Sequence, residues 1–450
     1  MREEISRLRQ LVADQAALLA KQQARIEILE RMLGTGPGGP PVAAAVPPQE
    51  PAATPKPRGR PPGHPGAAWS IPAVEPAVVR LRLAGCPDCG GRLTVARSFQ
   101  EHTVVDLPEK IEPVVTTFVH ERRYCPRCKK TVRAPRAADE PPKGHYGLRV
   151  LSLISDLKTK VGMPFTKMHG VLANVFGITI PRSTLPGMVQ RVGQWLVPVH
   201  QKLIEAVGTA AVVHADETTW RVSGKNGWAW LFATKEISAF VMEPTRAGAV
   251  ARKILRKRKG GVLVADDYCG YRRVEREHQS CWAHLLREAK EAAAATGKAV
   301  ARRFRRRLQH VFHEAEIVAA ASESLSPSVY EEEIRRIDRM LMNLCKGRSN
   351  VAAVEHLKNR ITRQRRPLLT FLRRPGVEPT NNLGERKIRQ LVVARKISGG
   401  SRSWAGARAH GVIASCIDSV GHLKKSVIEL IREHAVPAGR RRQLVSCLPA

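Results

Sequence analysis

From Ala210 onward the apolar residues stop recurring at helical spacing and fall into alternating and continuous runs, at residues 211–222, 227–233 and 237–242. Runs of this kind specify strands, and three in close succession predict a meander. A helix-forming stretch at 248–258 then precedes another buried-type strand at 261–265. The order β-β-β-α-β constrains the chain more than any other feature, because it demands a sheet with helices to cover it. It places Asp216 at or near the end of the first strand and Asp266, opening Asp266-Asp-Tyr-Cys-Gly-Tyr271, at the end of the fourth. Neighbouring strands lie about 4.8 Å apart, so the two carboxylates are placed to share a divalent ion.

A third acid, Glu385, stands in Thr380-Asn-Asn-Leu-Gly-Glu-Arg-Lys-Ile-Arg-Gln390, where Thr380 or Asn382 is placed to cap a helix carrying Glu385 in its first turn. Hard cations held by such carboxylates, about 3.5–4 Å apart, activate a water or a DNA 3′-hydroxyl for in-line phosphodiester displacement. Arg386, Arg389, Arg395 and Lys396 follow on the same segment, suited to a phosphate backbone.

With 450 residues the chain is long enough for two or three modules. Its 75 Lys and Arg against 40 Asp and Glu give a formal charge of +35, with clusters at 252–259, 302–307, 363–366 and 440–442. Any one cluster is explained by a solvated face, but the total points to double-stranded DNA. No run of some 18 apolar residues predicts a membrane span, and the start Met1-Arg2-Glu3-Glu4 lacks the apolar core of a secretory signal, so a cytosolic protein without a membrane partner is expected.

Ile5, Leu8, Val12, Leu19, Ile26, Leu29 and Leu33 occupy a and d positions of one heptad frame, with Gln15 and Gln22 also at d. This predicts a short coiled coil over 1–34 and a homo-oligomer, rather than a helix packed on its own domain. A Gly/Pro-rich linker, 35–75, contains Lys56-Pro-Arg-Gly-Arg-Pro-Pro62, in which Arg58 and Arg60 flank a glycine as in an AT-hook for the minor groove; a solvated basic linker is the alternative.

Of nine cysteines, Cys86 and Cys89 form one C-x-x-C pair, followed by Gly90 and Gly91, and Cys125 and Cys128 form another. Strand-like runs at 78–83 and 114–124 lead into them. Four thiolates so spaced close a tetrahedral, structural Zn²⁺ site within a zinc ribbon at 76–140, in preference to redox pairs. Over 145–205 the periodicity is helical, and 165–175, the Gly177 turn and 183–192 allow a helix-turn-helix with Ser183 as N-cap. The second helix is poor in base-reading residues, which favours core packing.

The landmarks Cys86-Pro-Asp-Cys-Gly-Gly, Pro181-Arg-Ser-Thr-Leu185, His214-Ala-Asp-Glu-Thr218, Asp266-Asp-Tyr-Cys-Gly-Tyr271, Cys281-Trp-Ala-His-Leu285, Thr380-Asn-Asn-Leu-Gly-Glu-Arg386 and Arg395-Lys-Ile-Ser-Gly-Gly400 occur in one order along the chain. In them the sequence resembles the insertion sequence sixty-six family of bacterial DDE transposases. The resemblance implies an α/β, ribonuclease H-like catalytic core at 206–275 and 376–436, with Asp216, Asp266 and Glu385 as its acids and Mg²⁺ or Mn²⁺ as cofactor. It also implies a helical insertion at 276–375, where residues 283–321 and 330–346 read as helices, and action on transposon ends and target DNA in a bacterial nucleoid; the arginines at 440–442 mark a basic tail at 437–450.

Two acids stand beside the implied set. Asp267 occupies a position where the family usually carries a non-acidic residue, and Glu217 follows Asp216, so either is an alternative ligand. Cys281 and His284, one helical turn apart, are read as structural, since a zinc site would require two more ligands that the neighbouring sequence does not identify. Trp220, Trp228 and Trp230 are read as core, and Trp404 as a candidate contact to flipped or single-stranded DNA. A DNA-binding regulator with an inactive core and a host nuclease of the same fold are the competing readings.

Overall fold

The computed structural model describes residues 102–435, apart from 109–110, 138 and 256–259, together with scattered positions between 78 and 94. The expected coiled coil, the AT-hook-like Arg58 and Arg60, and the basic tail lie outside the described residues. The chain divides into two compact units, Ala43–Pro113 and a larger one comprising Met1–Val42 with Val114–Ala450.

The larger unit opens with an antiparallel hairpin, β1 (Arg122–Cys125) and β2 (Lys130–Arg133), in which Cys125 faces Lys130. Of the strand expected over 114–124 only the last three residues are realised, within β1; Val114 is 89% exposed, and an apolar run that stays exposed gains little by pairing. The run from 78 likewise has no strand at its described positions, where Val79 and Leu81 are exposed.

Three helices follow: α1 (Leu148–Thr159), α2 (Phe165–Phe176) and α3 (Thr184–Thr209). Gly177, at φ 62°, ends α2 in the left-handed conformation that glycine adopts without penalty. Ser183 occupies the N-cap of α3 but makes no side-chain capping bond. Helix α3 runs for 26 residues, and Leu185, Met188, Val189 and Val192, the face a recognition helix would offer, are buried in a cluster shared with the sheet.

The central sheet contains β3 (Val212–Val222), β4 (Lys225–Ala233), β5 (Ser238–Glu243), β6 (Val262–Ala265) and β7 (Glu277–Ser280), in the order β5-β4-β3-β6-β7. A short helix, α4 (Ala249–Leu255), makes the crossover from β5. The first three strands pair antiparallel, while β3–β6 and β6–β7 are parallel. Strand β7 was not foreseen, because Glu-His-Gln-Ser carries no apolar pattern. It is stabilised instead through Gln279, whose buried side chain accepts from Phe371 N at 2.7 Å and donates to Ser280 O at 2.8 Å.

Beyond β7 the chain forms α5 (Trp282–Thr296), α6 (Ala299–Ala320), α7 (Pro327–Cys345) and α8 (Ala352–Arg363). Gly297, at φ 61°, splits the single helix expected at 283–321 into two. These helices bury a cluster of their own, reaching the sheet through Val262 and Val264. Helices α9 (Asn382–Ser398), α10 (Trp404–Asp418) and α11 (Val427–Ala435) complete the fold. Ile388, Leu391 and Ala394 of α9 and Ala407 and Ala414 of α10 pack against Trp220, Val222, Leu231 and Phe240 of the sheet. Helices α3 and α10 approach so closely at Gly193 that a Cβ there would lie 2.6 Å from that of Ala409.

Candidate active site

Alternation along β3 sorts its side chains. Val213 and Ala215 point into the cluster shared with α3, whereas Trp220 and Val222 point to the face covered by α9. Asp216 has the parity of the second set and Glu217 of the first. In the parallel pairing, Val212 faces Val262 and His214 faces Val264; Asp216 and Asp266 each follow two residues beyond this last pair, near enough for their charges to interact. Strand β6 stops at Ala265, but β3 continues against β4, so Asp216 lies mid-strand opposite Leu231 rather than at a strand end.

Burial, with the negative charges of Glu217 and Asp266 beside it, pushes the Asp216 carboxyl up to about 7, and Glu385 adds to the effect. Its Oδ1 accepts from Glu217 N at 2.8 Å. Asp266 Oδ1 accepts from Tyr268 N at 3.0 Å, which turns the chain immediately after β6. A desolvated carboxyl with acidic neighbours is the kind of group that a hard divalent cation neutralises, although Asp216, Asp266 and Glu385 do not bring their ligand atoms within 4.8 Å of one another.

The two neighbouring acids are otherwise occupied. Glu217 Oε1 accepts from Arg246 Nε at 2.9 Å and Nη2 at 2.6 Å, and Oε2 accepts from Tyr271 OH at 2.5 Å. Arg246 in turn lies 3.9 Å from the Tyr268 ring centroid, so Glu217 belongs to a buried brace on the opposite face. Asp267 pairs with Arg363 at 2.7 Å and with Arg360 and Arg272 at 3.5 Å, tying the end of β6 to the helical insertion.

Glu385 sits in the first turn of α9, as expected, but neither Thr380 nor Asn382 caps that helix. Asn381 is the N-cap residue, and its side chain is directed into the sheet: Nδ2 donates to Ala215 O at 2.8 Å, and Oδ1 pairs with His214 Nδ1 at 3.0 Å. This clamp fixes the helix carrying the third acid against the strand carrying the first. Gly384 makes it possible, since a Cβ there would lie 2.7 Å from Asn381 Oδ1.

Helix α5 approaches Glu385 from the other side. Cys281 is its N-cap residue, and Trp282 anchors it by donating from Nε1 to Leu368 O at 2.7 Å. His284 Nδ1 lies 3.6 Å from Glu385 Oε1, and Arg287 Nη2 lies 3.5 Å from Oε2. Burial alone would raise the Cys281 thiol, but His284 and the Asn381 N–H outweigh it and lower it; the His284 imidazole is raised, chiefly by Cys281. Among the described residues, Cys281, His284 and Glu385 bring one ligand atom each within 4.8 Å of one another.

A sequence model described as Transposase IS66 family matches residues 143–409, which contain the three acids, the sheet and the whole helical insertion. The chain belongs to this family. A protein of Sinorhizobium fredii (strain NBRC 101917 / NGR234), described as uncharacterized protein y4jD, is 23% identical over 365 residues, covering 74% of this chain and 70% of the relative. Membership in the IS66 family makes the chain a transposase-type enzyme, a class that binds DNA and uses divalent metal. No helix among the described residues is long and apolar enough to cross a membrane.

The cations expected to meet DNA divide in two. Arg386, Arg389 and Lys396 are exposed on α9, whereas Arg395 is drawn onto β3, where Nη1 donates to Thr218 Oγ1 at 3.1 Å and to Thr219. Sequence reading missed a cleft of about 880 Å³ that opens from Asp266 toward the insertion and is lined by Arg272, Arg363, Arg365, Arg366 and Arg373. Trp404 is partly buried against Gly227, where a Cβ would lie 2.7 Å from its ring. Trp220 and Trp230 are fully buried.

The four knuckle cysteines lie outside the matched region and fall in different compact units. In the smaller unit Cys86 N donates to Gly91 O at 2.9 Å and Gly90 N to Cys86 O at 2.8 Å, with Gly90 at φ 71°. The N–H groups of Cys89 and Asp88 lower the Cys86 thiol; those of Cys128 and Arg127 do the same for Cys125. Each knuckle is thus a turn that aims amides at its first sulfur, the arrangement a thiolate ligand needs.

Proposed function

We propose that this IS66-family chain cleaves transposon ends and joins them to target DNA, with Asp216, Asp266 and Glu385 as its catalytic acids in a ribonuclease H-like core. The observation that carries the reading is the clamp by which Asn381, donating to Ala215 O, holds the helix of Glu385 on the strand of Asp216, with Asp266 following the neighbouring strand. A sheet ordered β5-β4-β3-β6-β7, antiparallel on one side and parallel on the other, supports the fold assignment.

Mg²⁺ or Mn²⁺ bound to these acids supplies the Lewis acidity that activates a water or 3′-hydroxyl and steadies the leaving oxygen. The protein's own part is positional. Asn381 holds α9 on β3, Glu217 with Arg246 and Tyr271 braces the far face, and Asp267 ties β6 to the insertion. Arg386 and Arg389, exposed beyond Glu385, suit the phosphates of a bound strand. The spacing and turn geometry of Cys86, Cys89, Cys125 and Cys128 support a structural Zn²⁺ ribbon, and the heptads of 1–34 support self-association.

The test uses DNA carrying the sequences that flank the gene, incubated with the full chain and Mg²⁺. Wild-type protein should nick the element end and transfer its 3′-hydroxyl to a second duplex, while Asp216→Asn binds but does not cut. A chain that shifts the DNA without nicking it is a regulator, and one that cuts without joining is a nuclease; either result overturns the proposal.

A further inference from the structure

Cys281 and His284 begin α5, and two ligands alone do not close a zinc site. The fold supplies a third from beyond the helical insertion. We propose that Cys281 Sγ, His284 Nδ1 and Glu385 Oε1 form a zinc site beside the two aspartates, with a fourth position open, which fixes the orientation of Glu385.

The three donors already converge within 4.8 Å. His284 Nδ1 and Glu385 Oε1 are both buried, and neither makes a hydrogen bond of good geometry, a costly state for two polar atoms. Their separation of 3.6 Å is too long for a hydrogen bond. It is close to the roughly 3.4 Å that two ligands about 2.1 Å from a tetrahedral ion subtend. Cys281 Sγ accepts from Asn381 N at 3.1 Å, the kind of backbone donor that steadies a metal-bound thiolate.

Charge and ligand type agree with the geometry. A thiolate and a carboxylate neutralise a doubly charged ion, and the mixed sulfur, nitrogen and oxygen set suits zinc, whereas Mg²⁺ takes oxygen ligands. Arg287 approaches the other carboxylate oxygen, Oε2, and so does not compete for Oε1. Asn381 joins the two centres, with its N–H on Cys281 and its side chain on the backbone of Ala215, next to Asp216. The existence of the zinc site does not depend on Glu385 being catalytic; its role as a positioning device rests on that reading.

Zinc content per chain decides the matter, measured on the reduced full-length protein after loading with zinc and exhaustive desalting. Wild type is compared with Cys281→Ser and His284→Gln, each checked for folding by circular dichroism and thermal melting. Each variant should hold about one zinc fewer than wild type, whatever the four knuckle cysteines bind. With Co²⁺ in place of zinc, the wild type minus His284→Gln difference should show the visible bands of a tetrahedral thiolate site. Cys281 is buried, so if its variant fails to fold, His284→Gln, at a half-buried position, carries the test.

A folded His284→Gln chain with the zinc content of wild type overturns the site and leaves only a thiolate–imidazole contact. Cleavage in Mg²⁺, measured on the same preparations, separates the two readings. A cutting wild type with no zinc lost in the variant sinks the zinc site alone, while zinc lost in the variant of a chain that never cuts sinks the transposase reading alone.

Discussion

Asp216 concentrates the chemistry and also its cost. Its carboxyl ordinarily titrates near 4 and here stands at about 7, so the folded chain holds the proton more tightly than the unfolded one. The sign follows: stability from this group is fully present below pH 4 and declines as pH rises toward 7, by on the order of 4 kcal/mol when no cation is bound. Asp216→Asn should therefore raise the melting temperature of cation-free protein at pH 8 and abolish the increase that Mg²⁺ gives the wild type. It should also lower strand cleavage by at least ~10³-fold, as expected for a group that acts mainly in the transition state. A Mg²⁺ effect on melting that survives the substitution would show that the cation sits elsewhere.

His410 carries the opposite sign. It is fully buried on α10 against Trp220, and burial drives its imidazole down to about 3 from an unfolded value near 6.5. Unfolding takes up a proton in that window, so stability is lost as pH falls from 6.5 toward 3. His410→Phe should shrink the drop in melting temperature between pH 7 and pH 5; equal drops in the two proteins would remove His410 as a source of acid sensitivity.

At the scale of elements, the proposed site depends on how one helix is held against one strand of the sheet. Helix α9 owes its placement to Asn381 and to the absence of a side chain at Gly384. Gly384→Ala forces Asn381 out of its clamp and should cost roughly 1–3 kcal/mol of stability. It should lower kcat for cleavage more than it weakens DNA binding, read by comparing nicking rates with gel shifts; unchanged cleavage would mean that α9 is placed by its apolar face alone. Much of this was legible beforehand. The runs at 211–222, 227–233 and 261–265 correspond to β3, β4 and β6 within a few residues, because those strands are apolar in a pattern only a sheet explains. Strand β7 was not legible, since its stability comes from Gln279 and from segments far along the chain.

At the scale of the molecule, the charge of +35 makes DNA affinity steeply dependent on salt. Arg386, Arg389 and Lys396 are exposed on the helix that carries Glu385, and replacing all three with Ala should flatten the slope of log K against log salt by about 2–3. An unchanged slope would place the DNA elsewhere, for instance along the arginine-lined cleft that opens from Asp266.

The sequence by itself determined which residue types stand on or beside local elements: an Asp on one strand, an Asp just after another, a Glu in the first turn of a late helix, and thiols spaced for a turn. Those are local facts, set by periodicity and by short-range backbone geometry. Only the tertiary structure decided which acids are taken up by arginines on distant segments. Asp267 and Glu217 looked as eligible as their neighbours until arginines from distant segments were seen to hold them. Whether a carboxylate is paired depends on cations that the chain brings from far away, and no local pattern encodes that. The same physics brought Glu385 to Cys281 and His284, a meeting that spacing along the chain could not reveal.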